Sequence, residues 1–163
     1  MEIAVLVEGE GLPDVATVLV PPGCVAREIV TAVAARSGFP AGEGLLFLED
    51  GEEPLDLALV IVDEVVRGKV HHVHRARQVE VTVFYKDGHK EKRFPPSARV
   101  QRVLDWAVGR EGFNIDPPIA PEMELAQHGQ TTALPKNAHI GRYVRHPHHV
   151  LALDLIRGIV PNG

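Results

Sequence analysis

Residues 21–39, PPGCVAREIVTAVAARSGF, recur further along the chain as residues 95–113, PPSARVQRVLDWAVGREGF. The two copies share both prolines, an arginine and the Gly-Phe pair with which each stretch ends. Both also keep apolar residues at i, i+3, i+4 and i+7, the spacing of a helix with one buried face. Two copies of such a stretch in 163 residues predict two copies of one small domain rather than a solenoid of many repeats.

The bulk composition argues against several classes of protein. Hydrophobic residues make up 45% of the chain, as in ordinary globular domains, and the longest apolar run, residues 57–62, is too short to span a membrane. The first residues are acidic, whereas a signal peptide begins with basic ones. The single cysteine, Cys24, cannot form an internal disulfide, which fits a reducing compartment. We therefore expect a cytoplasmic protein without a membrane partner.

Charge is distributed unevenly between the two halves. The net charge is −5, but residues 1–77 carry 6 Lys/Arg and 13 Asp/Glu, whereas residues 78–163 carry 11 and 9. Because nucleic acid binding needs a clearly basic surface, this balance argues against a nucleic acid partner. The asymmetry predicts that the halves meet different partners, or that only one half meets any.

The first half has the pattern of a hairpin, a helix and two further strands. We predict strands over residues 2–8, 15–20, 45–48 and 70–77. The helix between them is expected to start after Gly23 as its N-cap and to end at Gly38 in a left-handed cap, before Pro40.

The second half repeats this order of elements. We predict strands over residues 79–83, 89–94, 123–126 and 150–156. The helix is expected to start after Ser97 as its N-cap and to end at residues 111–112. The segment His71-His72-Val73 matches His148-His149-Val150, which indicates that the final strands of the halves correspond.

The order strand, strand, helix, strand, strand in each half predicts an α+β protein with two tandem β-grasp domains. These would be residues 1–77 and 78–156, followed by a flexible tail, residues 157–163. In each domain the first and last strands should lie side by side, parallel and central. No stretch rich in glycine and serine separates the halves, so the joint should be short and only moderately flexible.

The ends of the predicted elements give the chain a resemblance to ubiquitin-like proteins. The helix exits, RSGFP (36–40) and REGFNIDPP (110–118), and the final segments, HHVHRAR (71–77) and HHVLALDLIRG (148–158), are similar to those of ubiquitin. With two such domains, the chain most closely resembles the interferon-induced two-domain ubiquitin-like modifiers. It also resembles their bacterial counterparts, which are encoded with activating, conjugating and deconjugating enzymes in anti-phage operons.

The resemblance implies that the chain is a protein modifier and not an enzyme. Its reactive group would be the carboxylate of Gly163, which an activating enzyme adenylates with ATP and a conjugating enzyme passes, as a thioester, to amines of target proteins. A metal-dependent isopeptidase would release it, and the chain itself would need no cofactor. The chain ends in Asn-Gly, whereas ubiquitin ends in Gly-Gly. The partner-binding tail would comprise Arg157, Gly158, Ile159, Val160, Pro161 and Asn162.

Two other functions stay open. One is a non-conjugated adaptor, whose two domains bind partners while the tail does nothing. The other is a sulfur carrier whose terminal glycine becomes a thiocarboxylate, although such carriers resemble a single β-grasp domain that ends in Gly-Gly.

Nine histidines raise the question of a metal site, especially the groups at residues 71–74 and 146–149. Neither a cysteine nor a carboxylate lies at ligand spacing beside them. We therefore expect no metal, and we interpret these histidines as a polar, partly exposed strand edge and loop.

Four other features have structural interpretations. We interpret Cys24 as a buried, small apolar residue rather than a nucleophile, because the sequence provides no histidine and acid to activate it. Trp106 is expected in the core or between the domains, a binding hot spot being the alternative. Glu124 should face outward from its strand, which argues against a ubiquitin-like apolar patch in the second half. The acidic pairs Glu49-Asp50 and Glu52-Glu53 are expected to be solvated charges in a turn.

Overall fold

The computed structural model describes residues 1–158 as two four-stranded sheets, each with one main helix. The first half contains β1 (Ile3–Gly9), β2 (Ala16–Val20), α1 (Arg27–Ser37), β3 (Leu45–Leu48), the single turn α2 (Asp63–Val66) and β4 (Val70–His74). The second half contains β5 (Val79–Tyr85), β6 (Gly88–Phe94), α3 (Val100–Val108), β7 (Met123–Gln127) and β8 (Val150–Arg157). Two short 3₁₀ turns, Ala120–Glu122 and Ile140–Tyr143, lie before and after β7. Each predicted strand is present, with ends displaced by a few residues.

The two sheets have the same topology. Their strand orders are β2-β1-β4-β3 and β6-β5-β8-β7. The first strand of each half forms an antiparallel hairpin with the second and a parallel pair with the last. The predicted α+β class and the tandem β-grasp arrangement, with its central parallel strands, are therefore confirmed.

Each half has its own apolar core between the helix and one sheet face. The predicted helical stripes are buried, and they pack against the alternating valines of β1 and β5. Full burial of one such side chain is worth about 1.5–3 kcal/mol, so several of them stabilise each half substantially. The buried stripes are Ala26, Ile29, Val30 and Val33 in the first half, and Val100, Val103, Leu104 and Ala107 in the second.

The end of α1 is as predicted, but its start is not. Gly38 has φ 81° and donates its N–H to the carbonyl of Ala34, which is the left-handed cap expected from the sequence. The helix begins only at Arg27, and Gly23 is not its N-cap. The N–H of Gly23 instead donates to the carbonyl of Ile61, so this residue ties the loop before α2 to the start of the helical segment.

The helix α3 is shorter than predicted at both ends. It begins at Val100, and Ser97 is not its N-cap, because the hydroxyl of Ser97 donates to the carbonyl of Gly51 in the first half. The helix ends at Val108 rather than at residues 111–112. Beyond its end the chain folds back so closely that a Cβ on Gly112 would lie 2.3 Å from the carbonyl oxygen of Ala107.

The final strands correspond in the sheets, but the matching His-His-Val segments do not. Val73 lies in the core of the first half, whereas Val150 is 61% exposed. Adjacent residues of a strand face opposite sides of the sheet. Alignment of Val73 with Val150 would therefore equate a residue that faces the core with one that faces away from it. The sequence similarity of the two segments is therefore not a structural equivalence.

The joint between the sheets is short, because β4 ends at His74 and β5 begins at Val79. The domain boundaries at residues 77 and 156 stay predictions. Strand β8 continues to Arg157, so the first residue of the predicted tail belongs to a strand. Most of the predicted tail, including Gly163, lies outside the described residues.

Candidate functional site

The base of the predicted tail is attached to the second sheet. Arg157 pairs with Met123 in the antiparallel ladder of β7 and β8, and its Nε donates to the Glu122 carboxylate at 2.7 Å. The N–H of Gly158 donates to the main-chain carbonyl of Glu122, also at 2.7 Å. Two of the seven predicted tail residues are thus held against the 3₁₀ turn before β7.

A side chain at Gly158 would crowd its neighbours. An added Cβ would approach the carboxylate carbon of Glu124 to 3.0 Å and the carbonyl oxygen of Glu122 to 3.2 Å. The outward direction predicted for Glu124 therefore places its carboxylate beside the tail. Arg157 and Gly158 are brought together by the structure, whereas Ile159, Val160, Pro161, Asn162 and Gly163 lie outside the described residues.

A second group of polar side chains lies in the junction between the halves. It occupies the outer face of the first sheet, the face opposite α1, and its members are no more than 3% exposed. The segment 139–144 of the second half covers this face. The buried polar members from the first half are Glu8, Glu10, His72 and His74, and the apolar Phe47 lies on the same face beside His72.

A chain of hydrogen bonds crosses the junction through two histidine rings. The Nδ1 atoms of His72 and His139 are 3.0 Å apart, and Nε2 of His139 lies 2.8 Å from the carboxylate of Glu49. A carboxylate only accepts, so Nε2 of His139 carries a hydrogen. Burial, followed by the nearby rings of His74 and His139, lowers the pKa of His72 well below its ordinary value. Its Nε2 has no hydrogen-bond partner among residues 1–158.

The tautomer of His74 follows from its neighbours. Its Nε2 lies 3.1 Å from the carbonyl oxygen of Gly141 and 2.8 Å from that of Val144, so this nitrogen carries the hydrogen. Its Nδ1 accepts the N–H of Ala76 at 2.9 Å. The ring is therefore neutral. Burial lowers its pKa, against the opposing effect of these carbonyl acceptors and of Glu10.

Two buried carboxylates are held by arginines and by main-chain N–H groups. Glu8 accepts from Nη2 of Arg142 at 2.7 Å and from the N–H of His139 at 3.0 Å. Glu10 accepts from Nη2 of Arg75 at 2.6 Å and from the N–H of His146 at 2.9 Å. Burial alone would raise the pKa of Glu10, but these bonds lower it to about 2.

The acidic turn of the first half binds the start of α3. Asp50 accepts from the N–H of Arg99 at 3.0 Å and from its Nε at 2.6 Å, and Glu52 pairs with Arg102. The hydrogen bond to Asp50 and then the negative charge of Asp50 raise the pKa of the Arg99 guanidinium. The prediction of solvated charges was therefore wrong for Glu49 and Asp50. The side chain of Glu52 is 61% exposed, so the prediction fits this residue. Glu53 does fit it, since the partner of Glu53, Arg77, is also exposed.

The prediction of a partly exposed histidine edge was wrong for residues 71–74. The strand β4 is central in its sheet, and all three of its histidines are buried. The second half covers the outer face, which carries His72 and His74, whereas His71 is on the face of the core residue Val73. Within residues 1–158, no group of three or more His, Cys, Asp or Glu side chains is arranged to hold a metal ion. Of the buried histidines, His72, His74 and His139 connect the two halves through hydrogen bonds.

Sequence reasoning missed four members of this junction: Glu8, Glu10, His139 and Arg142. One signal was present. Parallel pairing of the first and last strands, which the β-grasp order predicts, brings the end of β1 beside β4, and Glu8 is the register partner of His72. A strand that carries a carboxylate beside a strand that carries histidines indicates a network of polar side chains.

Cys24 and Trp106 are both partly buried, packed side chains. Cys24 is partly rather than fully buried, and burial, together with the charge of Glu28, raises the pKa of its thiol. A raised thiol pKa disfavours the reactive thiolate. Trp106 packs edge-on against Phe94, with ring centroids 5.7 Å apart, at the border of the second core.

A comparison with protein families finds a match to the second half of the chain. Residues 80–158 match the family model described as BilA ubiquitin-like domain 2. The second half thus matches a ubiquitin-like domain, and the first half has the same β-grasp topology. No curated protein matches the chain. The described residues, 1–158, also contain no helix with the length and apolar character needed to cross a membrane.

Two solved structures are similar at low sequence identity. One is the N-terminal ubiquitin-like domain in the 4931431F19Rik protein, with 16% identity, a TM-score of 0.37, and coverage of 44% of this chain and 72% of that chain. The other is a chain of the pParkin-pUb-UbcH7 complex, with 18% identity and a TM-score of 0.38. That match covers 49% of this chain and 25% of the other.

Proposed function

We propose that the chain is a ubiquitin-like modifier that is conjugated to other proteins through Gly163. One observation carries the proposal: two ubiquitin-like domains stand in tandem, and the last strand of the second leads within one residue into the segment that ends at Gly163. Five residues follow Gly158, and an extended chain of that length spans at most about 17 Å. A partner enzyme could therefore bind this segment without contacting the first half.

The residue types in this segment suit adenylation and acyl transfer. A carboxyl-terminal glycine leaves the carbonyl carbon open to nucleophiles, because it has no side chain to crowd them. Pro161 restricts the backbone two residues earlier, which lowers the entropy that is lost when an enzyme binds the segment. Under this proposal the chain is a substrate, and its own residues perform no catalysis.

The proposed partners are enzymes and their targets. An activating enzyme would use ATP to form an adenylate and then a thioester, a conjugating enzyme would transfer the chain to amines of target proteins, and a metal-dependent isopeptidase would remove it. The resemblance to bacterial modifiers extends the proposal to anti-phage defence in the cytoplasm. Genes for these three enzymes beside the gene for this chain would support that extension.

The test is formation of a thioester in vitro. The chain, ATP and a candidate activating enzyme should give an adduct that a reducing agent removes, while the chain without Gly163 should give none. A chain with one residue added after Gly163 should also give none, because the carboxylate would lie past the reacting position. Gly42→Ala, in the first half, is the matched control and should react normally, because nothing lies within 4 Å of its added Cβ. Equal adduct from intact and truncated chains would contradict the proposal.

A second candidate, a non-conjugated adaptor, is favoured by one observation. Four apolar side chains of the first half are between 37% and 51% exposed around the short antiparallel bridge from Val25 to Val60. Exposed apolar clusters with a polar rim often bind proteins. The cluster consists of Val25, Leu59, Val60 and Val62.

The intact mass of the chain purified from its native source separates these functions. A modifier appears in heavier covalent adducts with other proteins, and an adaptor keeps the mass of the chain. A sulfur carrier gains the mass difference between one sulfur and one oxygen atom, since a thiocarboxylate replaces the carboxylate.

A further inference from the structure

One buried ring joins three parts of the chain at the end of β4. The Nε2 atom of His74 lies 3.1 Å from the carbonyl oxygen of Gly141 and 2.8 Å from that of Val144, both in the second half. Its Nδ1 atom accepts the N–H of Ala76, in the joint between the sheets, at 2.9 Å. Both His74 and Ala76 are fully buried. The ring thus fastens the joint and the second half to the first sheet.

This set of partners fits only the neutral ring of His74. Carbonyl oxygens only accept, so Nε2 carries the hydrogen, and Nδ1 has the lone pair that accepts from Ala76. A second hydrogen, on Nδ1, would face the N–H of Ala76, and two donors cannot bond to each other. Proton binding by His74 therefore breaks the bond that holds the joint.

The carboxylate beside the ring does not remove this conflict. One oxygen of Glu10, at the end of β1, lies 3.7 Å from Nδ1 of His74, but it already accepts from the main-chain N–H and Nε of Arg75. The other oxygen accepts from Nη2 of Arg75 and from the main-chain N–H of His146. A charged His74 ring can bond to Glu10 only by turning away from Ala76, which also releases the joint.

The other neighbours of His74 disfavour a charge on its ring. The ring of His72, on the same strand, is stacked on it with centroids 5.7 Å apart, so it would repel a second cation when protonated. The guanidinium of Arg142, in the segment that covers the ring, is already paired with Glu8. Burial lowers the pKa of His74, and the charge of His149 lowers it further, against the carbonyl acceptors and Glu10.

Each half has a core that does not depend on this ring. The two cores lie between each helix and one face of its sheet, and His74 belongs to neither of them. Release of the joint therefore leaves the packing of both helices in place. What it uncovers is the outer face of the first sheet, where Phe47 and His72 are fully buried while the halves are closed.

We propose that His74 is a proton-operated latch on the joint: its neutral ring keeps the halves closed, and proton binding releases Ala76 so that the halves separate as folded domains. The outer face of the first sheet is then a surface that the closed chain withholds from partners. The latch acts whether or not the chain is conjugated through Gly163.

The direction of the pH effect follows from the two states of the ring. A released His74 titrates near its ordinary pKa of about 6.5, whereas the closed ring has a lower pKa. Between these two values the open chain binds a proton that the closed chain does not. The ratio of open to closed chains should therefore rise up to about tenfold for each pH unit below about 6.5, and it should be constant above that value.

Amide hydrogen exchange of the full chain, followed by NMR between about pH 7.5 and 5, tests the latch. The ionic strength is kept constant, because ion pairs such as Asp50 with Arg99 also cross the junction. After correction for the intrinsic exchange rate, the protection of the Ala76 amide should fall in acid. The amides of Val5 and Val81, in the central strands of the two sheets, should stay protected. Equal loss at Val5 would overturn the inference, because acid would then unfold the first half.

Small-angle X-ray scattering of the same samples measures the separation of the halves. The radius of gyration should grow as the pH falls, while circular dichroism keeps the signal of the folded sheets. An unchanged radius of gyration would overturn the inference, since the joint would have loosened without any separation.

Point variants separate the latch from a general effect of acid on the junction. His74→Gln keeps a donor and an acceptor but binds no proton in this range, so Ala76 should stay protected in acid. His72→Gln leaves the latch in place and should show the wild-type loss at Ala76. His89→Gln, which changes an exposed ring on β6, is the matched control and should also behave as the wild type. A wild-type loss of protection in His74→Gln would overturn the inference.

A measurement on the wild type alone keeps the test decisive if His74→Gln does not fold. The ring nitrogen shifts of His74 and the amide shift of Ala76 should titrate with one midpoint, because one event changes both. Different midpoints would overturn the inference.

Discussion

The Nδ1 atoms of His72 and His139 lie 3.0 Å apart in the junction, although 67 positions separate the two residues in the chain. Both rings are fully buried. One nitrogen must donate while the other accepts, so the contact exists only while at least one of the rings lacks a hydrogen on Nδ1. Protonation of both rings would place two N–H groups face to face. Protonation of both rings would therefore break this contact between the halves.

We expect the free energy of unfolding to fall as the pH falls below about 6.5. Burial lowers the pKa of His72 and of His74. Between the ordinary and the lowered pKa values, the unfolded chain binds protons that the folded chain does not, so stability rises with pH in that window and is lost on acidification. Urea unfolding at a series of pH values between about 7.5 and 5 measures the effect.

The variant His72→Gln should flatten this pH dependence, because it removes one buried imidazole. His148→Gln changes an exposed ring and is the matched control, with the pH dependence of the wild type. A slope in His72→Gln equal to that of the wild type would show that His72 is not a source of the pH dependence.

The variant Glu10→Gln should destabilise the fold by about 3–5 kcal/mol, because it removes the buried carboxylate nearest Arg75 and leaves this arginine with only the more distant, exposed Glu43. The control is Glu53→Gln, whose partner Arg77 is exposed, and its cost should be about 0–1 kcal/mol. Chemical denaturation at neutral pH compares the two variants. Similar costs would contradict a buried ion pair at Glu10.

The lowered pKa of Glu10 predicts a second loss of stability in stronger acid. Its pKa is lowered from 4.5 to about 2, so the folded chain holds this group ionised where the unfolded chain protonates it. The stabilisation is complete above about 4.5 and is lost as the pH falls towards 2. Glu10→Gln should lack this second loss while keeping the one near pH 6.

The variant Gly141→Ala should weaken the junction by about 1–3 kcal/mol. The added Cβ would lie 2.4 Å from Nε2 of His72 and 2.8 Å from the carbonyl oxygen of Pro96. Gly42→Ala is the matched control, because nothing lies within 4 Å of its added Cβ. Thermal melts of the two variants should differ clearly, and equal melting temperatures would contradict the close packing of the junction.

Separation of the halves should affect them unequally. The fragment 78–163 keeps its core and should fold alone, whereas the fragment 1–77 would expose Phe47, His72 and His74, which are buried in the whole chain. Circular dichroism should show a much lower melting temperature for 1–77. Addition of 78–163 should raise it, since the junction can form between fragments. A melting temperature of 1–77 that 78–163 does not change would contradict this prediction.

The thiol of Cys24 should react slowly with an alkylating or disulfide reagent at pH 7–8. Burial and the charge of Glu28 raise its pKa, which lowers the fraction of thiolate. Glu28→Gln should speed the reaction by removing that charge, whereas Glu64→Gln, on another helix, should not. Reaction as fast as that of a free thiol would contradict the raised pKa.

The elements of each half could be predicted because their signals are local. The predicted strand over residues 45–48 matches β3, and Gly38 forms the expected cap. The junction could not be predicted in this way. Every residue of β4 after Val70 is buried, because one face meets the core and the other meets the second half, and alternation alone does not show that both faces are covered.

The predictions for the helix starts and for the acidic turn were wrong for a related reason. Ser97 has the residue type of an N-cap, and Asp50 that of a solvated turn, but each binds a partner from the other half. Local propensity describes what a residue does when only its neighbours in sequence compete for its hydrogen bonds. A contact between distant segments overrides that preference, and one sequence does not show which segments meet.

The parallel pairing of the first and last strands gives each domain a defined mechanical response. In the second half, five residues of β5, from Glu80 to Phe84, pair with β8. A force that pulls the two ends of this domain apart would shear those hydrogen bonds together instead of opening them one at a time. A molecular motor that pulled on the tail would therefore meet its main resistance at the start, before any strand had left the sheet.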